Sequence, residues 1–138
     1  MSVLRYAILS FIVSLLPHTI SAQEPHAIKS IYFGGGSYYV DEQQSEELSE
    51  FIAAQLQSGQ YNITIHSHTD NIGGAQYNEW LSEMRSQSVI DKLIENLIDA
   101  EAIQVKDFGQ YNPVYDNDTW EGRFKNRRVD IILWPITL

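Results

Sequence analysis

The sequence of 138 residues contains no cysteine, and this absence excludes several classes of protein. Without thiols the chain has no disulfide scaffold, no thiolate zinc site, no cysteine nucleophile and no cysteine that could carry a bacterial lipid anchor. Burial of apolar side chains must therefore stabilise the fold. The 43% of hydrophobic residues, among them 8 tyrosines, 5 phenylalanines and 3 tryptophans, supply the necessary area.

Basic residues are also scarce, because 9 lysines and arginines stand against 18 aspartates and glutamates. The formal net charge is −9, and Arg127 and Arg128 are the one adjacent pair of basic residues. Binding to a nucleic-acid backbone requires clustered lysine and arginine side chains that neutralise phosphates. We therefore expect no nucleic-acid partner.

Long apolar runs are missing as well. A spanning helix needs about 20 apolar residues, whereas the apolar run at the N-terminus covers only residues 6–16. Arg5 precedes this run, Pro17 ends it, and the small residues Ser21 and Ala22 follow, which is typical of a secretory signal peptide over residues 1–22. The alternative is that the segment is retained as a membrane anchor.

Cleavage after Ala22 would leave an exported chain with 8 basic and 18 acidic residues, a net charge of −10. We expect residues 23–29 to form a short polar lead and residues 30–138 to form one domain. No further segment in that part of the sequence is long and apolar enough to predict a transmembrane helix.

Two segments have the apolar spacing of amphipathic helices. The first begins after Asp41, an N-cap with Gln44 as its capping-box partner, and ends at Gly59. Its apolar residues are Leu48, Phe51, Ile52 and Leu56. The second covers residues 75–98, and its apolar residues are Tyr77, Leu81, Met84, Val89, Leu93 and Leu97.

Four segments are predicted to be strands. They are residues 30–33, 61–68, 103–108 and 128–133, with loops at 69–74 and 109–119. In the second strand Ile63 and Ile65 alternate with Thr64 and His66, as in a half-buried strand. The order βαβαββ predicts an α+β fold, a two-layer α/β sandwich with both helices packed on one face of a mixed four-stranded sheet.

Residues 63–89 carry a specific motif. Its marked positions are His68, Thr69, Asp70, Gly73, Asn78, Leu81, Ser82, Arg85 and Val89. Two further blocks follow in order: Ile31, Tyr32, Phe33 and Ser37 near the start, and Gly109, Pro113, Gly122, Arg123, Asn126, Arg127, Arg128 and Val129 near the end. Together they resemble the OmpA-like C-terminal domain, the peptidoglycan-binding module of Gram-negative envelopes, over about residues 30–134.

The resemblance implies non-covalent binding of the peptidoglycan stem peptide at its meso-diaminopimelate residue. Asp70 and Arg85 are the implied main contacts, and Thr69, Asn78 and Arg127 the implied secondary ones. A carboxylate and a guanidinium match the ammonium and the carboxylate of a diaminopimelate side chain. The implied location is the periplasm or the outer membrane, and the resemblance implies neither catalysis nor a cofactor.

Two observations leave alternatives open. Gly34 and Gly36 stand where many members of the family carry an aspartate and an asparagine, and Ser67 replaces a glycine, so an interaction module without wall binding is the alternative function. Its partner would be an outer-membrane or periplasmic protein. His66 and His68 share one face of a strand, but two ligands are fewer than a zinc site requires, so we expect no metal.

Overall fold

A computed structural model describes residues 23–136 of the chain, and the predicted signal peptide lies outside these residues. The elements are β1 (Ala27–Tyr32), α1 (Glu42–Leu56), β2 (Tyr61–Ser67), α2 (Ala75–Glu95), one 3₁₀ turn (Ala100–Ala102), β3 (Ile103–Asp107), α3 (Trp120–Asn126) and β4 (Arg128–Pro135). No helix among residues 23–136 combines the length and the hydropathy that crossing a membrane requires.

The four strands form one mixed sheet in the order β1-β4-β2-β3. Strand β4 runs antiparallel to both of its neighbours, and β2 and β3 are parallel. A parallel pair needs a crossover connection, which α2 supplies. The predicted α+β class and the mixed four-stranded sheet are confirmed.

The core lies between one face of the sheet and the helices α1 and α2. In β2 the predicted alternation is confirmed, because Ile63 and Ile65 are buried whereas Thr64 and His66 remain partly exposed on the other face. Each large aliphatic side chain buried in this way stabilises the fold by roughly 1.5–3 kcal/mol. The other fully buried members of the core include Ile31, Leu48, Val89, Leu93, Val129 and Ile131.

Helix α1 is connected to β1 through its first turn. Asp41 accepts a hydrogen bond from the backbone N–H of Gln44 at 2.9 Å, as predicted for the N-cap. Gln44 does pair with Asp41, but through its amide N–H, which donates to the second carboxylate oxygen of Asp41 at 2.6 Å. The Gln44 amide also pairs with the backbone N–H and C=O of Tyr32, at 2.7 and 2.9 Å. Gln44 thus holds the end of β1 against the start of α1.

The start of β1 and the end of α2 each differ from the prediction by three residues. Strand β1 begins at Ala27, so the last three residues of the expected polar lead belong to the sheet. Helix α2 ends at Glu95, three residues before the prediction. Leu97 adopts a positive φ of 64° and is 93% exposed, so the apolar spacing that had included it continued past the end of the helix.

Helix α3 was not predicted. Its seven residues are too few to show a periodic apolar pattern, and the signals that form it are local. Thr119 caps it by accepting a hydrogen bond from the N–H of Gly122 at 3.0 Å. Gly122 packs so closely that a Cβ atom there would overlap the carbonyl oxygen of Asp116. Asn126, which is buried, joins α3 to the preceding loop through both backbone groups of Tyr115.

Candidate functional site

A cavity of about 250 Å³ lies at one end of the sheet, where β1 and β2 end and β4 begins. It is lined by Gly35, Gly36, Asp70, Ile72, Gly73, Tyr77, Asn78, Leu81, Arg85 and Arg127. The fold therefore brings four of the five predicted site residues together, although 57 positions separate Asp70 from Arg127 in sequence.

Arg85 of α2 supports this cavity from beneath. Although charged, it has no solvent-exposed surface. Its guanidinium donates to three backbone carbonyls: those of Ser37 at 2.8 Å, His68 at 3.1 Å and Gly34 at 3.0 Å. These bonds join the turn at residues 34–36, called the glycine turn below, to the end of β2. Three of its five N–H groups are used in this way, so two are left on a side chain that lines the cavity.

Arg85 keeps its positive charge in this position. Burial lowers the pKa of the guanidinium to about 10, and the nearby Asp70 carboxylate opposes that lowering. The guanidinium also stands over the Phe33 ring, 5.1 Å from its centre, which is a favourable cation–π arrangement. The side chain is thus a cation at neutral pH that is fixed in place by backbone oxygens and one aromatic face.

Asp70 forms its ion pair with Arg127, whereas the resemblance implied that Asp70 and Arg85 are the two main ligand contacts. One carboxylate oxygen of Asp70 accepts from Arg127 Nη1 at 3.1 Å, and the other accepts from the N–H of Ile72 at 3.0 Å. The two side chains are only 9% and 12% exposed. Arg127 is also fixed by a bond from Nε to the carbonyl of Phe33 at 3.0 Å. The carboxylate and the guanidinium therefore line the cavity in fixed orientations.

Asn78 contributes an acceptor without a partner. Its side chain is 99% buried, and its amide nitrogen donates to the carbonyl of Ile72 at 3.1 Å and to Gln110 Oε1 at 2.8 Å. Among residues 23–136, its Oδ1 is the one buried side-chain polar atom that has no hydrogen-bond partner. This atom lies beside Gly73, 3.7 Å from where a Cβ atom would stand there. An unpaired buried acceptor costs roughly 1–3 kcal/mol, so a donor that reached it would be bound favourably.

Thr69, the fifth predicted residue, does not line the cavity. It is buried, its hydroxyl donates to the carbonyl of Asp70 at 2.8 Å, and its N–H donates to the carbonyl of Gly109 at 2.8 Å. Its side chain therefore lies behind Asp70 and holds the loop that carries the carboxylate.

Two residues around the cavity were not foreseen. The periodic pattern placed Tyr77 in the core, but the side chain is 46% exposed and lines the cavity. Gln110 holds the amide of Asn78. The position of Tyr77 in the first turn of α2, next to Asn78, was a usable signal, whereas no local signal marked Gln110.

The sheet face that α1 and α2 leave uncovered carries a second ion pair. Arg128 Nε donates to both oxygens of Asp130, at 3.1 and 3.0 Å, and Ser30 donates to the same carboxylate at 2.6 Å. His68 stacks on the Phe108 ring at 4.9 Å, with its Nε2 4.0 Å from Asp130. Burial, reinforced by the charge of Arg128, lowers the pKa of His68 to about 4.

The two strand histidines gain no further ligand in the fold. Within the described part of the chain, no group of three or more histidine, aspartate or glutamate side chains is arranged to hold a metal ion. Burial also lowers the pKa of His66. Both rings instead pack against Phe108, with centres 5.2 and 4.9 Å from its ring.

A larger cavity of about 530 Å³ lies at the opposite end of the sheet. Most of its lining is aliphatic, including Ile52, Leu56, Ile63, Leu97, Ile98, Leu133 and Ile136. Asp99 is its one carboxylate, and no basic side chain lines it. Convergent groups of opposite charge are found in the smaller cavity, which is therefore the candidate site despite its size.

Similar proteins were found by sequence and by structure. The outer-membrane lipoprotein YfiB of Pseudomonas aeruginosa is 35% identical over 103 residues, covering 75% of this chain and 61% of that protein. The peptidoglycan-binding protein ArfA of Mycobacterium tuberculosis is 39% identical over 71 residues, covering 51% of this chain and 22% of that protein. The chain thus spans less than two thirds of the length of either relative.

The fold is similar to that of solved proteins as well. The structure of the cell wall anchor of the T6SS from Pseudomonas aeruginosa superposes with a TM-score of 0.65 at 29% identity, covering 79% of this chain and 81% of that one. Residues 32–127 match the OmpA family, a range that extends from the end of β1 to the arginine of the candidate site. This chain belongs to the OmpA family.

Proposed function

We propose that this chain binds the stem peptide of peptidoglycan non-covalently, with the cavity at the end of the sheet holding the diaminopimelate side chain. One observation carries the proposal: Asp70 and Asn78, whose Oδ1 has no hydrogen-bond partner among residues 23–136, line the same cavity as Arg127 and Arg85. The similarity to a peptidoglycan-binding protein and to a cell wall anchor supports it.

The chemistry of the ligand fits these groups. The side chain of diaminopimelate ends in a carbon that bears both an ammonium and a carboxylate. The ammonium would donate to Asp70 and to Asn78 Oδ1, and the carboxylate would accept from N–H groups that Arg127 does not use internally. Arg85, which has no exposed surface, would attract the carboxylate through its positive charge. A volume of about 250 Å³ accommodates one amino-acid side chain, so the rest of the stem would lie outside the cavity.

The glycine turn takes part through its backbone. Gly35 and Gly36 line the cavity, and Gly34 supplies a carbonyl to Arg85. Gly36 has a φ of +68°, a conformation that glycine adopts without strain. Backbone groups of this turn would then take the place of the side-chain bonds that an aspartate and an asparagine would make to the ligand.

The proposal includes an envelope location and no catalysis. Membership of a family with peptidoglycan-binding and outer-membrane relatives supports a role in organising the envelope. The proposed place is the periplasm or the outer membrane, after export by the N-terminal segment. A separate outer-membrane or periplasmic protein is the proposed second partner.

Titration of the purified protein with a diaminopimelate-containing tetrapeptide tests the binding, with Asp70→Asn as the variant. We expect about a 30-fold loss of affinity, because a charge-assisted hydrogen bond contributes about 2 kcal/mol. Asp130→Asn is the matched control, since Asp130 is also a part-buried aspartate paired with an arginine but does not line the cavity. A tetrapeptide with lysine in place of diaminopimelate lacks the carboxylate and should bind as weakly as the variant.

Equal affinity of the wild type and Asp70→Asn for the tetrapeptide would contradict the proposal. So would equal affinity for the lysine and diaminopimelate peptides. A wild type that binds neither the tetrapeptide nor purified sacculi would favour the alternative, an interaction module without wall binding.

A further inference from the structure

Three aromatic rings form a continuous stack beside the candidate site. The ring of Phe124, in α3, lies 5.5 Å from that of Tyr32, at the end of β1, with an angle of 11° between the planes. The ring of Trp120 also stacks on that of Phe124, at 5.8 Å and 10°. These three residues are called the aromatic platform below.

The platform is a surface feature. Trp120 is 70% exposed and Phe124 is 37% exposed, and neither side chain belongs to the buried core cluster. A contiguous group of exposed, large apolar side chains indicates an interaction site or a ligand-binding groove. A shallow groove of about 360 Å³ adjoins it, lined by Tyr32, Phe33, Gly34, Asp41, Gln43, Gln44 and Phe124. The groove thus combines aromatic faces with carboxylate and amide groups.

Arg127 makes the platform continuous with the candidate site. Its Nη1 donates to Asp70 in the cavity, and its guanidinium carbon lies 5.6 Å from the centre of the Phe124 ring. The centre of the Trp120 ring lies 5.8 Å from that of Phe124. Diaminopimelate is the third residue of the stem, and three extended residues span about 10 Å. The sugar that carries the stem would therefore lie near the platform when diaminopimelate occupies the cavity.

We propose that the aromatic platform binds the sugar rings of the glycan strand to which the stem peptide is attached. This inference rests on the proposed function and adds a second class of ligand group to the same site. One face of a pyranose ring presents several C–H bonds, which pack on the electron-rich faces of aromatic rings. The hydroxyl and acetamido groups of the sugar can hydrogen-bond with the polar side chains of the groove, Asp41 and Gln43.

Two ligands separate this inference from stem-peptide binding. The purified protein is titrated with the free diaminopimelate tetrapeptide and with the same tetrapeptide joined to its disaccharide. We expect the wild type to bind the disaccharide form about 10-fold more tightly, and Trp120→Ala to lose that increment while keeping its affinity for the free tetrapeptide. Trp120→Phe, which keeps a stacked ring, should retain most of the increment.

Tyr39→Ala is the matched control, because Tyr39 is a similarly exposed aromatic residue, at 73%, that lines neither the cavity nor the groove. It should bind both ligands as the wild type does. Equal affinity of the wild type for the two ligands would overturn the inference and leave the proposed function intact, as would an undiminished increment in Trp120→Ala. If the wild type failed to bind the free tetrapeptide but N-acetylglucosamine oligomers still shifted the Trp120 indole NMR signal, the proposed function alone would fail.

Discussion

Arg127 and Arg128 are neighbours in the chain, and each forms an ion pair with an aspartate. Arg127 binds Asp70 at 3.1 Å at the end of the sheet, and Arg128 binds Asp130 at 3.0 Å on the face that α1 and α2 leave uncovered. The aspartate side chains are 9% and 16% exposed, so the two pairs are similar in length and burial.

The two pairs differ in what surrounds them. Asp130 receives two bonds from Arg128 and one from Ser30, with His68 4.0 Å away, so protein groups occupy its oxygens. Asp70 and Arg127 share one hydrogen bond and line a cavity, where a ligand could reach both. We therefore propose a binding role for the Asp70–Arg127 pair, called the open pair below, and a structural role for the Arg128–Asp130 pair, called the closed pair below.

The largest expected effect comes from replacing Arg85, which holds the backbone around the open pair in place. Arg85→Met should lower the free energy of unfolding by about 4 kcal/mol, because three backbone carbonyls lose a charged donor in the interior. Urea unfolding followed by circular dichroism measures this. Lys92→Met is the control, since Lys92 pairs with an exposed glutamate, and it should change stability by less than about 0.5 kcal/mol. Similar losses in both variants would show that Arg85 does not support the site.

Replacing each of the two arginines separately tests the difference between their ion pairs. Arg128→Met should cost about 2 kcal/mol of stability, because Asp130 loses its charged partner, while affinity for the stem tetrapeptide is retained. Arg127→Met should instead reduce that affinity by about 30-fold. Urea unfolding and titration on both variants separate the two effects. An equal loss of affinity in both would remove the distinction between the open and the closed pair.

The stability of the protein should also depend on pH, through His68 beside the closed pair. The pKa of His68 is lowered in the fold to about 4 by burial and by Arg128, so between that value and the ordinary pKa of about 6.5 the unfolded chain binds the additional proton. Stability should therefore fall as the pH falls through this window, by about 1.5 kcal/mol between about pH 6.5 and pH 5. Burial lowers the pKa of His66 too, which adds to the same slope.

Urea unfolding at several pH values measures this slope. His68→Gln should flatten it, because it removes the group whose pKa burial lowers. An identical slope in wild type and His68→Gln would assign the acid sensitivity to other groups.

Several elements could be predicted because their signals are local. Alternation identified β2, spacing identified most of α1 and α2, and Asp41 marked the start of α1. Helix α3 escaped notice because seven residues show no periodicity, and the positive φ of Leu97 ended α2 where the apolar pattern continued. In the site, the motif identified the residue types, but not that Arg127 rather than Arg85 pairs with Asp70.

The sequence by itself determined the class of fold, the chemical groups of the site and the resemblance to a wall-binding family, since these depend on residue type and spacing. The tertiary structure alone decided which aspartate faces a cavity and which is enclosed. It also brought Trp120, Phe124 and Tyr32 into one stack beside Arg127. These relations depend on the pairing of β1 with β4 and on the packing of α3, because both join residues about 90 to 105 positions apart and so leave no mark in local spacing.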